Sequence, residues 1–319
     1  MIAVIGSGSW ATAIVKILLG DEHLTLNWWV RNSEVHASLA ATGRNPRHLT
    51  ALQFDTTRIN VSTDLAATVA ASDLLILAVP SVYLADTLAL LPTEAYRGKR
   101  FVSAVKGYIP QCRLSVSQYL EQQLSVAPEN CCVVSGPSHA EEVAEGKDTF
   151  LTVASASPLL ANNVSALLGC SYIHTSASTD VTAIELCGMA KNVYAIAAGM
   201  AVGLGYGDNL VAVLTTAAAH ELQGLIPETT MAFRLLSDLI VTCFSHHSRN
   251  RALGIAVAQG VSPEEHFRST GMVAEGYYSA AVMHDLATDD TPIADAVYGI
   301  LYQGANPGEH IKHLIDNIL

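Results

Sequence analysis

The sequence predicts an α/β N-terminal domain built on a doubly wound parallel sheet, followed by an all-α C-terminal domain. Short apolar runs alternate with helical segments in the first half, which is typical of a parallel sheet covered by helices on both faces. From about Ser178 the alternation stops and helical periodicity continues alone. With 319 residues, half of them hydrophobic and 14% charged, the chain is long enough for two packed domains, which we predict at 1–177 and 178–319.

The first element is a short apolar strand over residues 2–5. It runs into the turn Gly6-Ser7-Gly8-Ser9-Trp10-Ala11 and then a helix over residues 12–19. Strand, turn and helix match the G-x-G-x-x-G/A fingerprint of a Rossmann domain. Gly6 permits the tight turn, and Gly8 lets backbone amides approach a pyrophosphate at the start of the helix. The sequence therefore predicts a dinucleotide cofactor; the alternative is a tight turn without a ligand.

The second strand, residues 24–30, indicates which dinucleotide is bound. In NAD-specific folds this strand usually ends in Asp or Glu, which binds the ribose hydroxyls. Here it ends in Arg31-Asn32, and a guanidinium suits a 2′-phosphate. We therefore expect NADP(H) or NAD(H), with NADP(H) favoured; the alternative is an ordinary surface arginine.

Four further strands and two helical segments complete the predicted sheet domain. In parallel sheets of this kind, ligands bind at the C-terminal ends of the strands. Lys106 and Ser138 both fall at such ends, so each is a candidate ligand contact. Ser138 with Glu141 also fits a capping box at the start of a helix. The strands are predicted at residues 73–79, 100–105, 130–134 and 150–154, and the helices at 82–91 and 114–124.

The second half begins with a helix for which Ser178-Thr179-Asp180 offers the N-cap. Lys191 lies three turns inside this helix, on an apolar stripe. A charged amine there must be paired, must reach water, or must be placed for chemistry. Asp238, next to Leu239-Ile240-Val241, also needs a partner, and we expect Lys191 to provide it. Further helices are predicted at residues 210–222, 231–243, 251–257 and 276–285.

The densest polar cluster is Ser248-Arg249-Asn250-Arg251, directly before the apolar stretch 252–257. Ser248 can cap the helix that follows, which leaves free amides and two guanidiniums at its positive end. This arrangement favours a phosphate or a carboxylate. The alternative is a capped helix with a solvated basic first turn, but basic residues there oppose the helix dipole. We therefore predict an anion site.

Charge and cysteine content limit the other functions. Acidic residues outnumber basic ones by 29 to 17, a net charge of −12, which argues against a broad nucleic-acid surface but permits a local phosphate site. The six cysteines form no CxxC pair, and Cys131-Cys132 in a strand are expected to be core residues. We expect no signal peptide, no membrane insertion and a cytoplasmic location.

A metal site is not expected either. His310 and His313 are spaced to share a helix face, but no carboxylate or third ligand completes a set. The apolar helical half is compatible with a homodimer, and nothing in the sequence fixes the oligomeric state. We expect a small-molecule substrate that carries a phosphate or a carboxylate, and no nucleic-acid partner.

Together these motifs resemble the bacterial type of the NAD(P)-dependent glycerol-3-phosphate dehydrogenase family. The resemblance covers nearly the whole chain, so it is more specific than the glycine turn alone. It rests on Gly6-Ser7-Gly8-Ser9-Trp10-Ala11-Thr12, Ala78-Val79-Pro80-Ser81, Val105-Lys106-Gly107, Ser135-Gly136-Pro137-Ser138, Ala190-Lys191-Asn192-Val193, Asp238-Leu239 with Thr242-Cys243, Ser248-Arg249-Asn250-Arg251, and Val273-Ala274-Glu275-Gly276.

The resemblance implies an oxidoreductase that interconverts dihydroxyacetone phosphate and sn-glycerol 3-phosphate with NAD(P)H, supplying glycerol 3-phosphate for phospholipid synthesis. Lys191 is then the catalytic acid/base. By the same resemblance, the substrate site consists of Lys106, Gly136, Ser138, Lys191, Asp238, Ser248, Arg249 and Asn250. The cofactor contacts, with Gly6 and Gly8, are Ser9, Trp10, Arg31, Lys106, Ala140, Arg249, Val273 and Glu275.

Two departures from the family pattern bear on substrate fit. Leu235-Leu236-Ser237 stands where a glycine-rich turn usually precedes the aspartate, and Val202 stands where many members carry Asp. The alternatives are a two-domain β-hydroxy acid or ketopantoate-type reductase, and a non-catalytic nucleotide-sensing module. The reductase would not need the Ser-Arg-Asn anion site, and the module would not need to keep Lys106, Lys191 and Asp238 together.

Overall fold

The structure is a computed structural model that describes residues 1–226, 233–286 and 291–318. Its internal contacts divide the chain into two compact units. Unit 1 contains Met1–Val105 and Leu114–Ile184, and unit 2 contains Lys106–Arg113 and Glu185–Leu319. The domain boundary between residues 177 and 178 stays a prediction, and it differs from this division. No local pattern of residues indicated that Lys106–Arg113 belongs with the helical unit.

Unit 1 is built on an eight-stranded sheet in the order β3-β2-β1-β4-β5-β6-β7-β8. All neighbouring strands run parallel except β6 and β7, which are antiparallel. This confirms the predicted α/β class, with a mostly parallel sheet. The strands are β1 Ile2–Ile5, β2 Leu26–Trp29, β3 Ile59–Ser62, β4 Leu74–Leu77, β5 Arg100–Ser103, β6 Cys131–Ser135, β7 Thr149–Ala154 and β8 Ile173–Ser178.

The two strands that were not predicted, β3 and β8, lie at the two edges of the sheet. Both are only partly buried and rich in polar residues, so neither shows the apolar run of a central strand. The central strands β2, β4 and β6 are buried at every position. Cys131 and Cys132 lie in β6 and are both buried, as predicted.

Helices follow most strands of unit 1 and make up most of unit 2. The prediction of helices after residue 178 is confirmed for the described residues; the start of the helix predicted at 231–243 lies partly outside them. The helices are α1 Ser9–Leu18, α2 Ser33–Thr42, α3 Leu65–Ala70, α4 Ser81–Leu88, α5 Val116–Leu124, α6 Ala140–Glu145, α7 Pro158–Leu168, α8 Val181–Gly203, α9 Asp208–Gly224, α10 Phe233–Phe244, α11 Arg249–Ala258, α12 Pro263–Thr270, α13 Glu275–Leu286, α14 Pro292–Gln303 and α15 Pro307–Ile318.

The long helix α8 forms the core of unit 2. Asp180 caps it as predicted, because its Oδ1 accepts a hydrogen bond from the Ala183 amide at 3.1 Å. The expectation of an apolar stripe was too narrow: every residue from 187 to 201 is buried, so this stretch has no solvent-exposed face. Glycines allow a close approach, since a Cβ on Gly199 would collide with the Arg251 carbonyl of α11.

By length and composition α8 could also cross a membrane. However, 83% of its most apolar window is buried inside the protein, as in the core helix of a soluble protein. No membrane span was predicted from the sequence, and the burial of α8 gives no reason to change that expectation.

Candidate active site

Lys191 and Asp238 form a buried ion pair in unit 2. The Lys191 Nζ donates a hydrogen bond to Asp238 Oδ1, and each side chain is only 4% exposed. The predicted pairing is therefore confirmed, and the alternative in which Lys191 reaches water is excluded. Removing each charge from water costs free energy, and direct contact with the opposite charge offsets that cost. The pair therefore fixes the position of both side chains.

Asp238 reaches this position from inside α10. Leu235 and Leu239 are buried on the same helix and place the aspartate on its inward face. The departure Leu235-Leu236-Ser237 is thus helical, and it leaves Asp238 within reach of Lys191. The Thr242 hydroxyl donates to the Asp238 carbonyl at 2.5 Å, one turn along the helix.

Lys106 joins the same charge cluster. It is partly exposed by surface area, but protein atoms surround it closely enough to exclude most water. This burial lowers the pKa of its amine to about 7; Lys191 and Arg249 lower the pKa further, and Asp238 opposes them. Two cations, the partly protonated amine of Lys106 and one carboxylate thus act on each other, an excess of positive charge that suits a phosphate.

The predicted start of α11 at Ser248 is confirmed. The Ser248 Oγ accepts a hydrogen bond from the Arg251 amide at 3.2 Å, and Ser248 itself is buried. Arg249 is exposed. Arg251 is different, because its Nε is buried and has no hydrogen-bond partner among the described residues. The charge of Arg251 also affects the buried thiol of Cys243. Burial raises the pKa of that thiol to about 12, and the positive charge of Arg251 lowers the pKa in part. Of the two guanidiniums expected at this helix start, Arg249 is the more exposed.

Asn250 is buried, and both ends of its amide have protein partners. Its Nδ2 donates to Asn192 Oδ1 at 2.8 Å, and its Oδ1 accepts from the Gly276 amide at 2.8 Å. Asn192 was not among the predicted site residues, although it follows Lys191 directly. A buried asparagine inside an apolar helix is the signal that could have identified it, because such an amide needs partners. A direct substrate contact by Asn250 stays a prediction.

Val273 and Glu275, predicted to contact the cofactor, lie at the start of α13 in unit 2. Both are partly buried, and Glu275 is the first residue of the helix. Glu275 stands next to Gly276, whose amide is bound by Asn250. The start of α13 is thus tied to α11 by a hydrogen bond.

The glycine turn of unit 1 has the predicted backbone. Gly6 has φ +126°, and a Cβ there would lie 2.5 Å from the Ala78 carbonyl oxygen, so only glycine fits. Gly8 is the N-cap of α1, and a Cβ there would meet no atom within 4 Å. No side chain caps this helix and its first turn has no acidic residue. The open N-terminus fits the pyrophosphate of a dinucleotide.

A neighbouring turn supports the start of α1, and sequence reasoning missed it. Asn45 donates from its Nδ2 to the Ser7 carbonyl and to Thr12 Oγ1, both at 2.9 Å. The His48 Nδ1 lies 3.2 Å from Ser9 Oγ. Ser9 and Trp10, two predicted cofactor contacts, are both partly buried at the start of the helix. Residues 45–48 read Asn-Pro-Arg-His, and no known motif or residue spacing would have indicated these contacts.

Arg31 follows β2 and is exposed, as a contact to a cofactor phosphate requires. Its guanidinium carbon lies 5.5 Å from the ring centroid of Tyr83 in α4, which holds the charge near the C-terminal ends of the strands. Asn32, the next residue, caps α2 by accepting from the Val35 amide at 3.0 Å.

Gly136, Ser138 and Ala140 follow β6. Gly136 has φ +135°, and a Cβ there would collide with the Phe150 carbonyl. The predicted capping box is wrong: α6 begins at Ala140 with His139 as N-cap and no side-chain cap. The Ser138 hydroxyl donates instead to the Gly136 carbonyl at 2.8 Å.

The predicted site residues therefore fall into two groups, one in each unit. Within the described ranges, no group of three or more His, Cys, Asp or Glu side chains could hold a metal ion. Unit 2 contains Lys106, Lys191, Asp238, Ser248, Arg249, Asn250, Val273 and Glu275, and unit 1 contains Gly6, Gly8, Ser9, Trp10, Arg31, Gly136, Ser138 and Ala140.

Comparison with known proteins shows which family the chain is similar to. Two family models match the chain: NAD-dependent glycerol-3-phosphate dehydrogenase N-terminus over residues 1–161, and the C-terminus of the same family over residues 180–312. Glycerol-3-phosphate dehydrogenase [NAD(P)+] 1 of Salinibacter ruber is 36% identical over 98% of this chain and 94% of its own. The Pseudomonas putida enzyme named glycerol-3-phosphate dehydrogenase [NAD(P)+] is 37% identical, over 98% of this chain and 93% of its own.

A solved structure is similar as well. The crystal structure of glycerol-3-phosphate dehydrogenase from Coxiella burnetii superimposes with a TM-score of 0.90 at 27% identity. The match covers 99% of this chain and 98% of that one. Both parts of the fold are therefore shared with it.

Proposed function

The chain belongs to the NAD-dependent glycerol-3-phosphate dehydrogenase family, and on that premise we propose how its residues carry out the reaction. It is an oxidoreductase that interconverts dihydroxyacetone phosphate and sn-glycerol 3-phosphate with NAD(H) or NADP(H). These matches favour that reaction over a β-hydroxy acid or ketopantoate-type reduction and over a non-catalytic module. The observation that supports the residue roles is the buried Lys191–Asp238 pair beside Lys106 and Arg249.

Lys191 is the general acid/base in this proposal. In the reducing direction its ammonium polarises the carbonyl oxygen of dihydroxyacetone phosphate and protonates the alkoxide that develops there. In the oxidising direction its neutral amine removes the proton from the C2 hydroxyl of glycerol 3-phosphate. Asp238 orients Lys191 through the buried hydrogen bond and balances its charge.

Positive charge and helix amides hold the phosphate of the substrate. Arg249 and the first amides of α11 offer charge-assisted hydrogen bonds, and Lys106 contributes a further cation. In unit 1, we propose Gly136 and Ser138 as additional contacts, with the backbone of the Gly136 turn and the Ser138 hydroxyl as the groups that bind.

The cofactor residues divide between the units. When bound, the nicotinamide supplies the hydride that adds to the carbonyl carbon. Gly6, Gly8, Ser9 and Trp10 form the open start of α1 that receives the pyrophosphate. Arg31 is proposed to bind the 2′-phosphate, which favours NADP(H). The remaining proposed contacts are Ala140 of unit 1 and Lys106, Arg249, Val273 and Glu275 of unit 2.

The cellular context is also a proposal. Glycerol 3-phosphate is the backbone of glycerophospholipids, so we propose that the enzyme supplies phospholipid synthesis from the cytoplasm. A homodimer is proposed on the apolar composition of the helical half.

An absorbance assay of the purified protein tests the substrate assignment. NADPH oxidation is followed at saturating dihydroxyacetone phosphate, and separately with ketopantoate and with a β-keto acid. We expect rapid oxidation with the phosphate substrate alone. Dihydroxyacetone without phosphate serves as the matched control, because it keeps the carbonyl and lacks the anion. Turnover with ketopantoate but not with the phosphate would overturn the assignment.

A further inference from the structure

We propose that Asn192 and Asn250 form a positioning relay that holds Lys106, the start of α11 and the start of α13 in one arrangement. Nothing in the sequence motifs assigned Asn192 a role, and Asn250 was expected to contact substrate. Asn192 is a positioning residue in this proposal, because it acts through the groups that it holds. Asn250 continues the line to α13, and its predicted substrate contact is a separate role. The inference rests on the proposed function, since it explains how that site is kept in shape.

The relay is a continuous line of buried hydrogen bonds. Asn192 Nδ2 donates to the Lys106 carbonyl at 2.6 Å and to the Gly188 carbonyl at 3.0 Å. Asn192 Oδ1 accepts from Asn250 Nδ2 at 2.8 Å. Asn250 Oδ1 then accepts from the Gly276 amide at 2.8 Å.

The two ends of the line fix the orientation of both amides. A backbone carbonyl, at Lys106, can only accept, so Asn192 must present its NH₂ group there. A backbone amide, at Gly276, can only donate, so Asn250 must present its oxygen there. The remaining groups then meet as donor and acceptor, and flipping either amide would place two like groups together. The line therefore has a single arrangement with every bond made.

Close packing keeps the relay short. Both asparagines are buried, with 4% and 8% of their surface exposed. A Cβ on Gly276 would collide with the Asn192 carbonyl, so the start of α13 lies directly against α8. A buried amide that loses its partner cannot turn to water instead, which makes each bond costly to break.

Each member of the line stands next to a residue of the proposed site. Asn192 follows Lys191, Asn250 follows Arg249, and Gly276 follows Glu275. The segment Lys106–Arg113 packs with unit 2, and the bond from Asn192 is a contact that holds Lys106 there. Breaking one bond is therefore expected to displace several site groups together.

The test uses Asn192→Leu, Asn250→Leu and the double variant of the full chain. Leucine keeps the approximate volume and removes the hydrogen bonds. We expect each single variant to lower kcat by about a hundredfold, the loss typical of a displacement of about 1 Å. For Asn192→Leu, the Michaelis constant for dihydroxyacetone phosphate should change little. The double variant should lose no more than the worse single variant, because both break one relay.

A second readout does not depend on turnover. The amine of Lys106 is acylated at a series of pH values, and mass spectrometry of the peptide measures its extent of reaction. In the unaltered protein, burial holds the pKa of this amine at about 7, with Lys191, Arg249 and Asp238 also acting on it. In the leucine variants the segment is released into water, so the pKa should move upward towards 10.5, the ordinary value for lysine.

The matched control is Asn306→Leu, which removes an asparagine that caps α15 by accepting from the Glu309 amide at 3.2 Å. It should lower stability without altering kcat or the labelling of Lys106. If a leucine variant fails to fold by circular dichroism, the serine variants Asn192→Ser and Asn250→Ser replace it.

Three results would overturn the relay. One is a rise in the Michaelis constant for Asn192→Leu with kcat and Lys106 labelling unchanged, which would make Asn192 a direct substrate ligand. Another is additive losses in the double variant. The third is a Lys106 pKa that stays at about 7 in folded variants. If the unaltered protein fails to reduce dihydroxyacetone phosphate while the labelling shifts as expected, the substrate assignment is wrong and the relay stands.

Discussion

Two helices of this chain begin in opposite ways. Helix α1 begins at Gly8 with no side-chain cap and open space in front of it. Helix α11 begins at Ser248, whose hydroxyl satisfies one amide, and Arg249 adds a charge. Both are positive helix ends suited to phosphate, but the first offers only backbone and the second relies on side chains. At this helix start unit 1 thus presents backbone groups, whereas unit 2 depends on particular side chains.

The comparison predicts the largest effect at the buried lysine of unit 2. Lys191→Ala should lower turnover by at least about a hundredfold, because it removes the acid/base, while NADPH binding through unit 1 stays nearly unchanged. Stopped-flow kinetics measure turnover, and a fluorescence titration measures NADPH binding. Lys312→Ala, an exposed lysine of α15, is the control. Turnover within about tenfold of the original would contradict the acid/base role.

Because Lys191→Ala leaves Asp238 buried without its partner, stability must be checked alongside activity. Loss of one member of such a pair costs about 3–5 kcal/mol. The double variant Lys191→Ala with Asp238→Ala removes both charges, so it should recover part of that stability while remaining inactive. Thermal melts separate the two effects.

The next largest effect is expected where unit 2 binds phosphate. Arg249→Ala should raise the Michaelis constant for dihydroxyacetone phosphate by roughly 10- to 100-fold, since a charge-assisted hydrogen bond contributes about 1.5–3 kcal/mol. Arg268→Ala in α12 is the matched control. If both variants bind the substrate equally well, the side-chain-based anion site at α11 is wrong.

Substitutions at two glycines of unit 1 should have different effects, one on NADPH binding and the other on the stability of the fold. Gly8→Ala should fold normally, because its Cβ meets nothing within 4 Å, yet weaken NADPH binding by about tenfold, or 1.4 kcal/mol, by filling the space of the pyrophosphate. Gly6→Ala should instead destabilise the protein by at least about 2 kcal/mol, because φ is +126° and its Cβ meets Ala78. Titration calorimetry measures the NADPH affinity, and urea unfolding measures the free energy of unfolding. Equal NADPH affinity for Gly8→Ala and the original would mean that the backbone does not hold the cofactor there.

The smallest effect is expected at Arg31, the cation of unit 1 that we propose to bind the cofactor. Arg31→Ala should weaken NADPH by about fivefold, or roughly 1 kcal/mol at an exposed position, and NADH by less. Competition binding of the two nicotinamides measures the difference. Equal losses for both would remove the argument for a 2′-phosphate contact.

The sequence predicted those features whose signal lies in one local pattern. The glycine turn, the central strands, the cap at Ser248 and the need of Lys191 for a partner all follow from neighbouring residues. The edge strands β3 and β8 did not, because a half-exposed polar strand resembles a loop. Ser138 was predicted as a cap, but α6 begins with His139 as its N-cap and the Ser138 hydroxyl donates to the Gly136 carbonyl.

The remaining site features depend on contacts between distant segments. Lys106–Arg113 packs with residues that follow it by dozens of positions, and no periodicity reports such a pairing. The hydrogen bonds of Asn250 join three helices in the same way. Residue type indicated that these groups matter, while only the fold shows what each one contacts.

The burial of residues 187–201 of α8 on all sides also determines how the protein comes apart. A stretch of helix without a solvent-facing side cannot swing out by itself, so its amide hydrogens should exchange only when unit 2 opens as a whole. Lys191 is carried on that helix. Heat or denaturant should therefore leave the amine in its native surroundings until cooperative unfolding, with no partly open form in which the site is lost first.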